Sequence, residues 1–158
     1  MQKVPLFSRK YKDKYTILDD DDYEALKDKK ICFINAGKGY AVYYTGGDTF
    51  WLHRVIMKTP KEMDTDHING DTLDNRKENL RVCTHQQNLA NRKKQLTKSS
   101  SRYKGVSWSK KEKKWEASLY VGGKRHSLKY HTDEKAAAMA YNAKAKEIFG
   151  SFARLNEV

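Results

Sequence analysis

Between Asp66 and Asn91 the chain concentrates the side chains best suited to chemistry. Asp66-His67-Ile68-Asn69-Gly70-Asp71 is followed by Asn79-Leu80-Arg81 and then by Asn88-Leu89-Ala90-Asn91. A carboxylate beside an amide oxygen suits a hard divalent cation. A neighbouring histidine can take a proton from water near neutral pH. The set fits metal-assisted hydrolysis of a phosphodiester. Such groups work only if held in place, and the local pattern predicts strand, loop, strand and helix. Residues 63–68 are expected as the first strand and the turn-rich 69–77 as an ordered loop. Residues 79–84, with apolar Leu80 and Val82 between polar neighbours, form the second strand. Thr84 then caps a helix from His85 to about Lys93.

These residues resemble the HNH nuclease family in its compact hairpin-plus-helix (ββα-metal) form, as found in phage-type homing endonucleases. The likeness runs from Leu52-His53-Arg54 through Asp66-His67-Ile68-Asn69-Gly70, Leu73-Asp74-Asn75-Arg76 and Glu78-Asn79-Leu80-Arg81-Val82 to Gln87-Asn88 and Asn91-Arg92. The resemblance implies His67 as the general base and Asn79 as the central asparagine, linking the hairpin and orienting the imidazole. It implies Asp66 as a metal ligand. Asn88 joins it, where many members carry a histidine. An amide beside one carboxylate makes a weak, open site for Mg²⁺ or Mn²⁺. Arg76, Arg81 and Arg92 are candidates to clamp phosphates, and Asn91 either supports the site or touches DNA. His53 and Arg54 are read as support, and His85 as structural. The implied products carry 5′-phosphate and 3′-hydroxyl ends.

The charge balance separates the proposed chemistry from the proposed attraction. Of the 158 residues, 32 are Lys or Arg and 20 Asp or Glu, a net charge of +12. Residues 1–50 hold nine basic against eight acidic residues, and 51–92 hold seven against six. Residues 93–158 hold sixteen against six. The C-terminal third is therefore where a polyanion would be drawn in. A mean hydropathy of −0.93 indicates small cores. No apolar run approaches the roughly 18 residues of a membrane span, and the N-terminus lacks the apolar core of a signal peptide. Cys32 and Cys83 lie far apart, outside any Cys-x-x-Cys pair, so no structural zinc is expected. Cys83 reads as a small buried hydrophobe. A reduced, cytoplasmic protein is expected.

Residues 1–50 read as a β-rich module, with strands at 14–18, 40–44 and 49–53. The acidic run 19–22 opens a helix near Tyr23. After a polar linker at 93–102, the C-terminal module alternates Trp115, Ala117, Leu119 and Val121 with Glu116, Ser118 and Tyr120. Gly122-Gly123 is a two-residue hairpin signal. That register sets Leu119 opposite His126, Ala117 opposite Leu128 and Trp115 opposite Tyr130 on the inner face. Tyr120 then faces Arg125, Ser118 faces Ser127 and Glu116 faces Lys129 on the outer face. Residues 104–109 supply the first strand. Thr132 caps a helix with a stripe of Ala138, Tyr141, Ala145 and Ile148, closed by Gly150. This part resembles an AP2 DNA-binding domain. The match lies in Tyr103-Lys104-Gly105-Val106, Trp115-Glu116-Ala117-Ser118-Leu119, the Ala136–Asn142 run and Gly150-Ser151-Phe152-Ala153-Arg154-Leu155-Asn156. It departs at Leu128-Lys129, where members often carry Leu-Gly. The implied DNA contacts are Ser118, Tyr120, Arg125, Ser127 and Lys129, joined by Lys104 and Trp108 on the first strand. Trp115 is assigned to the core.

The expected fold class is α+β, with four segments. They are a small N-terminal β-rich module (1–50), an HNH ββα-metal domain (51–92), a linker (93–102) and a three-stranded antiparallel sheet on one helix (103–158). The expected function is a metal-dependent, strand-nicking, homing-type endonuclease acting on double-stranded DNA. It would be phage-encoded, a monomer or weak dimer, with no small-molecule cofactor and no membrane partner. The alternatives are a DNA-binding regulator whose nuclease segment does not cut, and a nuclease of structured RNA.

Overall fold

A computed structural model describes residues 1–94 and 99–158, and the chain divides into two compact units, Met1–His85 and Gln86–Val158. The first unit opens with strands β1 (Gln2–Pro5) and β2 (Tyr15–Leu18), paired antiparallel, and helix α1 (Asp20–Leu26). A meander of β3 (Cys32–Ala36), β4 (Lys38–Thr45) and β5 (Asp48–Trp51) follows. Gly46 and Gly47 both have positive φ and make the two-residue turn between Thr45 and Asp48. Next come α2 (Leu52–Ile56), the hairpin β6 (Asp64–His67) and β7 (Leu80–Cys83), with a 3₁₀ turn at Lys77–Asn79. Leu6, Leu18, Leu26, Ile31, Ala41, Tyr43 and Leu52 form the core.

Several local expectations needed correction. Leu52 and His53 are not the end of a strand but the start of α2. Gln2–Pro5 and Cys32–Ala36 are strands that the β-rich reading had not placed. The acidic run opens a helix, but Asp19 makes no side-chain cap. Instead its carboxylate accepts from Lys77 N at 2.8 Å, while Asp21 and Asp22 pair with Lys77 Nζ at 2.9 and 3.0 Å. The run thus ties α1 to the segment entering β7.

The second unit holds most of α3 (His85–Asn91), then β8 (Val106–Ser109), β9 (Lys114–Val121), β10 (Lys124–His131) and α4 (Glu134–Phe149). The antiparallel order is β10-β9-β8. Tyr103, Val106, Ala117, Leu119, Ala137, Ala138, Tyr141 and Ala145 pack as its core. Gly105 (φ +73) lets the chain pass this core, since a Cβ there would lie 2.1 Å from the Tyr141 ring. The helix cap is Asp133, accepting from Ala136 N at 2.8 Å, rather than Thr132. Ile148 is exposed, and Phe149 packs in its stead. Of the expected linker, residues 95–98 lie outside the described residues. Ser100 and Ser101 hydroxyls accept from the backbone of Trp108 and Tyr103. Among the described residues no helix is long and apolar enough to cross a membrane.

The hairpin register is as expected from Lys124↔Val121 to Ser127↔Ser118, then shifts. Tyr130 stands opposite Glu116 and His131 opposite Trp115, not Lys129 and Tyr130. Between them Lys129 adopts φ +75, the left-handed conformation of a bulge that favours glycine. The extra residue turns Tyr130 outward and takes Lys129 away from Glu116. Lys129→Gly should therefore stabilise the fold by about 1 kcal/mol. A urea titration should show a raised midpoint with unchanged slope.

Candidate active site

The first unit builds its polar site on the β6–β7 hairpin. Asp66 and Arg81 are cross-strand partners, as are His67 and Leu80. Directly opposed side chains share a face, and Arg81 Nε and Nη2 both donate to Asp66 Oδ2, at 2.9 and 2.8 Å. Asp66 and His67 are each 5% exposed. The expected metal-binding carboxylate is thus a buried anion held by a guanidinium. Arg81, expected to clamp phosphate, is committed to it.

The loop between the strands is held by its own polar groups. Asn69 N donates to Asn79 Oδ1 at 3.0 Å, and Asn79 Nδ2 donates to Asp74 O at 2.8 Å. Asp71 Oδ1 accepts from Leu73 N at 3.0 Å, an Asx turn. Asp74 Oδ2 accepts from Asn69 Nδ2 at 3.0 Å. Arg76 grips Asp74 through Nε and Nη2, both at 2.8 Å, and also pairs with Glu78. Arg76, expected to clamp phosphate, is engaged by these two carboxylates. Asn79 thus ties Asn69 to Asp74 across the loop.

The group that orients His67 is Asn75, which is fully buried. Its Oδ1 lies 3.2 Å from His67 Nε2, and its Nδ2 donates to Thr16 Oγ1 at 2.8 Å. Thr16 in turn donates to Leu73 O at 2.7 Å. These bonds determine the tautomer. The single Thr16 hydroxyl proton goes to Leu73 O, so Thr16 receives the Asn75 amide N–H. The Asn75 oxygen must then face the imidazole, and Nε2 is the protonated nitrogen. In the neutral ring Nδ1 carries the lone pair and is the basic atom. Strand β2 supplies this brace, since Ile17 N donates to Leu73 O and Asn75 N to Ile17 O, at 3.0 and 2.9 Å.

Residue types alone carried no signal for Thr16, which lies 59 positions from Asn75. Asn75 stood within the recognised Leu73–Arg76 run without an assigned role.

His53, on α2, packs edge-on to His67 with ring centroids 5.2 Å apart. Its Nδ1 is buried without a partner among the described residues. Burial, and then the nearby His67 and Arg54, push His53 down to about 3. Burial also lowers His67, opposed by the Asn75 hydrogen bond and by Asp66, Asp71 and Asp74. Both rings are therefore neutral at pH 7. His85 is tied to Asp64 Oδ2 at 2.9 Å. Among the described residues no three His, Cys, Asp or Glu side chains gather as a metal cluster. A hard carboxylate is nevertheless present in Asp66.

In the second unit, Ser118, Tyr120, Arg125 and Ser127 share the outer face of the sheet through the pairs Tyr120↔Arg125 and Ser118↔Ser127. Glu116 organises them, accepting from Arg125 Nη2 at 2.8 Å and Ser127 Oγ at 3.0 Å. The Arg125 guanidinium holds the Glu116 carboxyl below its usual range. Trp108 does not join that face. It pairs with Trp115 on the inner side, the rings edge-on at 5.1 Å. Lys104 precedes β8, and its ammonium donates to Ala90 O and Arg92 O at 2.5 and 2.7 Å. It therefore does not stand on the outer face. Asn88, Asn91 and Arg92 belong to the second unit, and Asp66 and His67 to the first.

The buried histidines imply a stability that depends on pH. Their folded pKa values lie below the unfolded value of about 6.5, so the unfolded chain binds protons that the native state refuses. Their contribution is complete above pH 6.5 and is lost as pH falls toward the folded pKa. The slope is at most about 1.4 kcal/mol per pH unit per group. Urea midpoints should fall from pH 7 to pH 4, and His53→Phe should flatten that dependence.

An HNH endonuclease family model matches residues 50–90. An uncharacterized HNH endonuclease of Acanthamoeba polyphaga mimivirus is 37% identical over 126 residues, 76% of this chain and 64% of the relative. Protein 3.8 of Escherichia phage T7 is 33% identical over 95 residues, 60% of this chain and 77% of the relative. No solved structure matches. The matched segment contains the whole β6–β7 hairpin, Asp66, His67, Asn75, Asn79 and Arg81. The chain therefore carries an HNH endonuclease domain at residues 50–90.

Proposed function

We propose that the chain is a metal-dependent DNA endonuclease that hydrolyses phosphodiester bonds. The observation that carries this reading is the neutral His67 imidazole. Its tautomer is set by Asn75 and Thr16, and it stands beside Asp66 in an HNH-matched segment. His67 Nδ1 takes a proton from water as the water oxygen attacks phosphorus. The bond to the 3′ oxygen breaks, that oxygen takes a proton from solvent, and 5′-phosphate and 3′-hydroxyl ends are left. Asn75 holds the ring, and Asn79 holds the loop that carries Asn75. When bound, a divalent cation such as Mg²⁺ or Mn²⁺ supplies positive charge at the phosphate and the leaving oxygen. Asp66 is its anchor in this reading.

One such site cuts one strand, so a monomer nicks. Recognition by an AP2-like sheet is supported by the shared outer face of Ser118, Tyr120, Arg125 and Ser127. Lys129, where AP2 members often carry glycine, has φ +75. A homing-type, phage-encoded enzyme working in the host cytoplasm is consistent with relatives from two viruses.

A second reading, a DNA-binding regulator that does not cut, is favoured by the Asp66–Arg81 pair, which neutralises the carboxylate a metal would use. Supercoiled DNA carrying the target, incubated with Mg²⁺, Mn²⁺ or EDTA, separates the two. Nicking that requires metal and drops by about 10²–10⁴ in His67→Ala supports the enzyme. DNA binding without cleavage in either metal supports the regulator.

Asn75→Asp tests the base directly. A carboxylate against Nε2 should raise the His67 pKa. The base works only when neutral, so the acidic limb of the rate profile should move to higher pH. The rate at pH 6 should then fall more than the rate at pH 9.

A further inference from the structure

We infer that the second unit carries a phosphate-binding cleft that grips the DNA backbone, built from residues other than those of the outer sheet face. The cleft has a volume of about 360 Å³, and Lys93, Lys94, Arg102, Lys104 and Arg154 line it. Glu157 is its one carboxylate among the described residues. The inference rests on the DNA reading above.

The cleft is rigidly framed. Lys104 is held on both backbone sides by the Asn156 side chain, with Lys104 N donating at 2.7 Å and Asn156 Nδ2 donating to Lys104 O at 3.1 Å. Asn142 of α4 holds the Asn156 backbone in the same two-sided way, at 2.7 and 2.8 Å. Donors remain available inside this frame. An ammonium has three N–H groups. Lys104 Nζ uses two, on Ala90 O and Arg92 O, and Lys94 Nζ uses one, on Tyr103 O. Arg102 donates from Nη2 to Tyr103 OH and lies over the Tyr103 ring. The side chains of Lys93 and Arg154 make no hydrogen bond or ion pair with any described residue.

A merely solvated set of cations would spread apart or pair with carboxylates. Here five cations line one cleft against a single carboxylate among the described residues, Glu157, and their mutual repulsion is relieved by an anion. Burial first, and then the neighbouring Arg154 and Arg92, lower the Lys104 ammonium to about 8. A phosphodiester oxygen takes such donors as strong charge-assisted hydrogen bonds. The cleft also lies within residues 93–158, which hold sixteen basic against six acidic residues, so a long polyanion is drawn to the same unit.

The test uses the full chain, in EDTA so that DNA stays intact, with a random-sequence duplex across a salt series. Lys93 and Arg154 are replaced together by Ala; Lys104 is kept because it ties Ala90 and Arg92. The slope of log affinity against log salt should become shallower by about 0.9 per lost contact, a change of about 2 for the pair. Affinity should fall about tenfold or more, whatever the sequence. Met139→Ala, on the exposed side of α4, should leave the slope unchanged. An unaltered slope in the folded double variant overturns the cleft while the DNA reading stands. A wild-type chain with no salt-dependent DNA binding overturns both.

Discussion

Strand β2 reaches across to the loop between β6 and β7, and the geometry of His67 depends on that contact. Two backbone hydrogen bonds from Ile17 and two through the Thr16 hydroxyl clamp Leu73 to Asn75. Thr16 and Asn75 are wholly excluded from solvent. A buried amide left without its partner would cost about 1–3 kcal/mol, so each segment needs the other in place. Leu73 packs against the core of the first unit, which anchors the loop to apolar residues as well as to β2. The N-terminal segment is therefore part of the apparatus that determines which imidazole nitrogen is basic.

The two units treat charge differently. In the first, cations and anions are matched within the fold: Arg81 with Asp66, Arg76 with Asp74 and Glu78, Lys77 with Asp21 and Asp22. The Asp66 and Asp74 pairs are buried enough that removing one partner would strand a charge, which makes them rigid. In the second unit much of the basic excess stands without such partners. Residues 1–92 hold nearly as many acidic as basic groups to pair with one another, whereas the C-terminal third has sixteen basic against six acidic residues.

The outer face of the β8–β10 sheet follows the same economy of means. Glu116 collects Arg125 and Ser127 on one carboxylate, while the bulge at Lys129 turns Tyr130 to the surface. A planar ring and an anchored guanidinium on one face make a stiffer surface than the lysine expected there. Stiffness lowers the entropy that binding would otherwise lose.

Much of this was legible in the residues alone because it is local. Period-two alternation from Trp115 to Val121 and the Gly122-Gly123 turn established the hairpin as far as Ser127. Gly46-Gly47 marked its own turn, and the Asp66–Asn91 motif marked the chemistry. Three features were decided elsewhere. The bulge beyond Ser127 depends on one residue in the left-handed region, and alternation carries no trace of it. Leu52–Ile56 is helical, although its β-branched and aromatic surroundings read as strand. Thr16 and Asn75 meet across 59 positions, and a threonine in a short strand looks the same whether it faces water or a catalytic loop. Sequence determines which groups are present and what their neighbours along the chain can form. Burial and hydrogen-bond partners come from segments distant in the chain, so the basic nitrogen of His67, the capture of Asp66 by Arg81 and the orientation of Trp108 were decided by tertiary structure.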